Sequence, residues 1–116
     1  MKQIKTSGIV GMVLDEAESQ FKTWFVPKSK RERLSESLSI IDRLCDEFDC
    51  ESAEAEVDDE TMVLSVTLVC SDIVMENGRS HLFFELIKHT DSFAFSAEED
   101  MLRVTLNFAG LWRNRD

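Results

Sequence analysis

Apolar residues fall on two different periods along this chain, and the changes of period mark its elements. Between Ser7 and Phe25, Val10, Val13, Ala17, Phe21 and Trp24 recur at three- and four-residue intervals, the spacing of one helical face. This predicts a helix over 7–25, preceded by a flexible arm at 1–6. A short strand over 8–14 followed by a helix is the alternative, because Gly8 and Gly11 each weaken a helix by about 1 kcal/mol relative to alanine. Pro27, the single proline of the chain, closes the segment, since the residue before a proline is driven out of helical geometry. A second helix follows. Ser29 and Glu32 have capping-box spacing, in which each side chain satisfies the other residue's backbone N–H. Leu34, Leu38, Ile41, Cys45 and Phe48 then form one apolar seam, widened by Ile40 and Leu44, with Lys30, Arg31, Glu36, Asp42 and Arg43 off it.

Beyond that helix the period becomes two. Ala53, Ala55 and Val57 alternate with Glu54, Glu56 and Asp58; Met62, Leu64, Val66, Leu68 and Cys70 alternate with Val63, Ser65, Thr67, Val69 and Ser71. A turn over 58–61 joins the two runs as a hairpin, with Val57 opposite Met62, Ala55 opposite Leu64 and Ala53 opposite Val66, so that the apolar positions share one face. Asn77-Gly78 marks a turn. A helix over 80–89 follows, with Leu82, Phe83, Leu86 and Ile87 on its apolar stripe. In a second hairpin, Ala97 faces Leu102, Phe95 faces Val104 and Phe93 faces Leu106. The tail after Gly110 carries Leu111 and Trp112 and frays over 113–116.

The element order is α-α-β-β-α-β-β. It predicts one α+β domain over 1–116: a two-layer sandwich of about four mainly antiparallel strands, made of two hairpins, with helices packed on one face. The order of the two hairpins within the sheet stays open.

Charge adds a feature that the period does not explain. From Asp42 to Glu60, ten of nineteen residues are acidic and only Arg43 opposes them, in a chain whose net charge is −10. Asp46, Glu47 and Asp49 fall at the end of the second helix, where acid opposes the helix dipole. Glu54, Glu56, Asp58 and Asp59 follow on the next strand and its turn. These seven residues are the candidate docking surface for a basic protein partner; the alternative is a solvated face that protects a strand edge. The net charge argues against nucleic acid and against anionic membranes as partners. Lys22, Lys28, Lys30, Arg31 and Arg33 around Trp24 and Pro27 form a smaller basic patch, a candidate site for a nucleic-acid strand or an acidic segment; the alternative, which the net charge favours, is balance of the acids within or between copies of the chain.

The outer side of the predicted sheet is flat and weakly polar. Val63, Thr67, Val69 and Thr105, together with Trp24, are the candidate self-association surface, and a homodimer is expected.

Catalytic chemistry is hard to find. Three cysteines with no framework spacing, Cys45, Cys50 and Cys70, read as reduced thiols in the cytoplasm. Lys2 and Lys5 precede an apolar run, 9–14, too short for a secretory signal. No phosphate loop, nucleophile elbow or zinc-ligand spacing is present. No catalytic residue, cofactor or metal is therefore assigned. The expected function is a non-catalytic protein–protein interaction module. The alternative is a small-ligand or enzymatic domain whose pocket lies between helices and sheet and draws on Cys70, His81, Glu85 and His89.

Overall fold

The computed structural model describes residues 6–21, 23–48, 50–70, 80–98 and 101–114. In chain order the elements are α1 (Thr6–Gln20), β1 (Trp24–Phe25), α2 (Lys28–Phe48), β2 (Cys50–Asp58), β3 (Val63–Cys70), α3 (Ser80–His89), β4 (Ser92–Glu98), β5 (Met101–Phe108) and β6 (Arg113–Asn114). The fold is α+β, as the alternation of periods predicts. The main sheet has four antiparallel strands in the order β2-β3-β5-β4, so the two hairpins meet through β3 and β5. β1 and β6 form a separate two-stranded ribbon.

α1 is a helix through Gly8 and Gly11, which excludes a strand over 8–14, but it ends at Gln20 and does not reach Phe25. The Phe21 N–H donates to the Ala17 carbonyl at 2.7 Å and the Trp24 N–H to the Phe21 carbonyl at 2.9 Å, and the chain then extends. Two effects end the helix early. Val26 precedes Pro27 and must be extended. Trp24 and Phe25 also gain strand pairing with Asn114 and Arg113, so these two tail residues pair and do not fray.

α2 begins at Lys28, one residue before Ser29. The Pro27 carbonyl accepts from the N–H groups of Lys30 and Arg31, both at 3.0 Å. Pro27 thus stands at the helix entrance, and Ser29 lies inside the first turn, where a side-chain cap has no role. The apolar seam does fold inward: Leu34, Leu38, Ile41 and Cys45 are all buried.

The first hairpin departs from its expected register. Val57 faces Leu64, Ala55 faces Val66 and Ala53 faces Leu68. Met62 is consumed by the turn: its φ is 54° and its N–H donates to the Asp58 carbonyl at 2.7 Å. β3 therefore starts at Val63. The slip preserves the faces, so the same residues point inward. The second hairpin has the expected register, with Ala97 on Leu102, Phe95 on Val104 and Phe93 on Leu106.

Leu64, Val66 and Leu68 of β3 and Val104, Leu106 and Phe108 of β5 form the floor of one core with Val10, Leu14 and Ala17 of α1 and the α2 seam. Ser65, Thr67 and Val69 point the other way and are half-buried on the outer face, which carries no helix among the described residues and is called the helix-free face below. Two polar joints lock the layers together. Glu18 of α1 accepts from the Val26 N–H at 2.9 Å and pairs with Arg31 of α2 at 2.9 Å, tying both helices to their linker. After α3, the Thr90 hydroxyl caps the Ile87 carbonyl at 2.9 Å. Asp91 then binds the end of β5, donating its N–H to the Asn107 carbonyl at 2.9 Å and accepting from the Ala109 N–H at 2.6 Å. α3 covers the core through Leu86; the turn at Asn77-Gly78 and the side chains of Leu82 and Phe83 lie outside the described residues.

Candidate protein-interaction surfaces

β2 is one edge of the sheet, and its outward positions carry the acids. Glu54 lies opposite Thr67 and Glu56 opposite Ser65, so both rise from the helix-free face. Alternate residues on a strand stand about 7 Å apart, which sets the pitch of the row Glu54, Glu56, Asp58. All three are exposed, as are Asp59 in the turn and Asp46 in the last turn of α2. The side chain of Glu47 and the whole of Asp49 lie outside the described residues. Asp58 also has a local duty: its Oδ1 accepts from the N–H groups of Glu60 at 2.9 Å and Thr61 at 3.3 Å, which shapes the turn. Glu54 and Glu56 have no ion pair among the described residues. A small depression of about 100 Å³ lies between these two carboxylates and Ser65 and Thr67. On the other side of β2 a groove of about 410 Å³ runs against α1, with Glu16, Glu56 and Asp59 at its rim and Val13 and Phe21 in its wall. Among the described residues no three His, Cys, Asp or Glu side chains converge as metal ligands.

The candidate self-association residues divide. Val63, Thr67, Val69 and Thr105 come together on the helix-free face, half-buried, with Thr67 directly opposite Thr105. Trp24 does not join them; it packs against the core from the β1–β6 ribbon. The face is also more self-satisfied than its sequence suggests. The Ser65 hydroxyl donates to Asn107 Oδ1 at 2.7 Å, and Asn107 Nδ2 donates to the Ser92 hydroxyl at 2.9 Å, a polar rung across β3, β5 and β4.

The basic patch divides as well. Arg31 turns inward to Glu18 at 2.9 Å and Asp15 at 3.4 Å. The hydrogen bond that the Arg31 guanidinium donates to Glu18, aided by the charges of Glu18 and Asp15, raises its pKa above the ordinary arginine value against the opposing effect of burial. Lys30 and Arg33 instead line a groove of about 490 Å³ between α2 and the end of α3, where Lys88 and His89 face them and Glu36 and Asp91 contribute acid. Periodicity could not find this groove, because it joins residues more than fifty positions apart. Of the alternative pocket residues, His89 lines it, Glu85 is exposed on α3, and the side chains of Cys70 and His81 lie outside the described residues.

One surface was not legible as such. Phe93 and Phe95 sit on the inner face of the sheet, beside Leu106 and Val104, yet 44% and 48% of their surfaces stay open to solvent. Their rings touch, with centroids 5.5 Å apart at a 52° tilt.

Comparison with protein-family models, with curated proteins and with solved structures finds no match to this chain. Among the described residues no helix is long and apolar enough to cross a membrane.

Proposed function

We propose that this chain is a non-catalytic protein–protein interaction module of the cytoplasm, which docks a basic partner through the acidic edge at β2 and associates with itself as a homodimer. The observation that carries the docking role is the row of Glu54 and Glu56: exposed, without ion pairs among the described residues, and set on a strand edge. Acid on an edge strand deters chance pairing with other strands. It also suits an extended basic segment with Lys or Arg at alternate positions, since the spacings match at about 7 Å. Opposite charge then steers the encounter and fixes the register. Asp46 and Asp59 extend the same field at either end of the row, whereas Asp58 is partly committed to its turn.

The test uses the charge-reversed double variant Glu54→Lys/Glu56→Lys. It keeps the wild-type circular dichroism spectrum and loses salt-sensitive binding to a labelled extended peptide with alternating arginines, as well as capture of its partner from the native host. Unchanged binding by the folded variant returns the row to edge protection alone. Self-association is tested by light scattering; if it runs through Val63, Thr67, Val69 and Thr105, Thr67→Lys yields monomers.

The groove between α2 and α3 favours a second reading, a site for a small anionic ligand. It gathers Lys30, Arg33, Lys88 and His89 in a chain whose net charge is −10. Calorimetric titration with inorganic phosphate and with a nucleotide, on wild type and on Arg33→Glu, decides it; no heat of binding with either ligand removes this reading.

A further inference from the structure

The two edges of the sheet are built in opposite ways. β2 carries Glu54, Glu56 and Asp58, a row that repels a second copy of itself. β4 is the other edge, and from Ser92 to Ala97 it has no charged residue although every one of these residues is exposed. Its sequence from 92 to 96, Ser-Phe-Ala-Phe-Ser, reads the same in both directions. A strand of that kind is self-complementary under two-fold symmetry, because antiparallel pairing sets like residues face to face.

We infer that β4 pairs with β4 of a second copy of this chain, antiparallel about a two-fold axis at Ala94, joining two four-stranded sheets into one of eight strands. This rests on the self-association reading above and moves its site from the helix-free face to the sheet edge. In that register Ala94 meets itself, Phe93 meets Phe95 of the second copy and Ser92 meets Ser96. Asp91 falls opposite Ala97 and Glu98 opposite Thr90, so no acid lies opposite an acid, which matters in a chain of net charge −10. The equivalent pairing of β2 with itself, with its alanines and valine on one face, sets the outward positions Glu54, Glu56 and Asp58 among one another. Assembly therefore closes at two copies.

The pairing also accounts for the half-open phenylalanines. Phe93 and Phe95 occupy the inner face in line with Leu106 and Val104, and a second copy brings two more rings onto that row, continuing the core across the axis. Tilted aromatic pairs are favourable at the 5.5 Å separation that Phe93 and Phe95 already adopt. One short strand pair with four half-open rings stands at the low end of specific interfaces, below about 1,200 Å² in total. The dimer accordingly dissociates on dilution.

The full chain is followed by light scattering and by backbone hydrogen exchange from low-micromolar to sub-millimolar concentration. The mass is expected to rise from 13.3 kDa toward twice that value. Amides of 92–97 slow with concentration while those of β2 do not. Phe95→Lys and, independently, Ala94→Lys remain monomeric throughout with an unchanged circular dichroism spectrum, and Thr67→Lys still dimerises. A dimer that survives in both folded β4 variants, with β4 exchange independent of concentration, overturns this inference and leaves self-association to another surface. A constant monomer mass in the wild type overturns both, and assigns the open β4 edge to a different occupant. Growth beyond two copies overturns the two-fold closure.

Discussion

At the scale of single residues, two side chains matter more than their sequence context suggests. Glu18 looks like an ordinary surface acid of α1, yet it accepts from the Val26 N–H at 2.9 Å, eight residues on, and holds Arg31 at 2.9 Å. Val26 is buried, so removing the acceptor strands a backbone donor away from water. Hydrogen bonds to a charged group contribute about 1.5–3 kcal/mol, and Glu18→Ala is expected to lower the unfolding free energy by about 2 kcal/mol on that scale. Arg31→Met, which leaves the backbone bond intact, costs less; urea denaturation of both variants checks the order. Trp112 is the opposite case. It is 7% exposed and its indole Nε1 has no hydrogen-bond partner among the described residues. Trp112→Phe loses some ring volume but also removes an unpaired buried donor, so it is expected to cost no more than about 1 kcal/mol. Trp112→Ala opens a cavity and costs about 3–5 kcal/mol. A Phe variant as unstable as the Ala variant would mean that the indole N–H is satisfied in solution. Neither role was legible beforehand, because each depends on a partner that no local spacing specifies.

At the scale of elements, periodicity located faces well and ends poorly. The period-two runs put Leu64, Val66, Val104 and Leu106 on the inner side, where they are found. A register that slips by two residues keeps every side chain on its face, so the pattern alone could not separate Val57 on Met62 from the observed Val57 on Leu64. The turn decided it. Asp58 gathers the N–H groups of Glu60 and Thr61, and Met62 takes a left-handed φ of 54° to close the loop. Asp58→Ala is therefore expected to cost about 1 kcal/mol, although Asp58 is exposed and acidic, because ordinary hydrogen bonds each contribute about that much. The same change at exposed Asp59 should be neutral; equal midpoints for the two variants in thermal melts would remove the structural role given to Asp58. The β1–β6 ribbon leaves no mark on the sequence pattern for a simpler reason: two-residue strands have no period to read. Pattern likewise says which way Phe93 and Phe95 point but not how far the helical layer extends over them.

At the scale of the whole molecule, the distribution of charge opposes the fold that carries it. The acids of β2, its turn and the end of α2 already lie close in sequence, and folding confines them with the other charges in one compact molecule of net charge −10, where self-repulsion is greater than in the expanded chain. Surface ion pairs offset little of this, since a pair as exposed as Arg31 and Asp15 contributes only about 0–1 kcal/mol. Stability should therefore rise with added sodium chloride, as the Debye length falls from about 30 Å at 0.01 M to about 3 Å at 1 M. Neutralising the double site, Glu54→Gln/Glu56→Gln, should raise the thermal midpoint at low salt by about 4 °C, the shift that about 1 kcal/mol produces in a domain near this size. The gain should vanish at high salt, because screening and neutralisation relieve the same repulsion. The two midpoints, measured across a salt series, bear directly on function. Acids that cost stability without serving the fold are retained for something outside it, whether a basic partner or the exclusion of other strands. A double variant that melts lower than wild type at every salt concentration would give Glu54 and Glu56 a folding role instead, and would weaken the case for the proposed docking role.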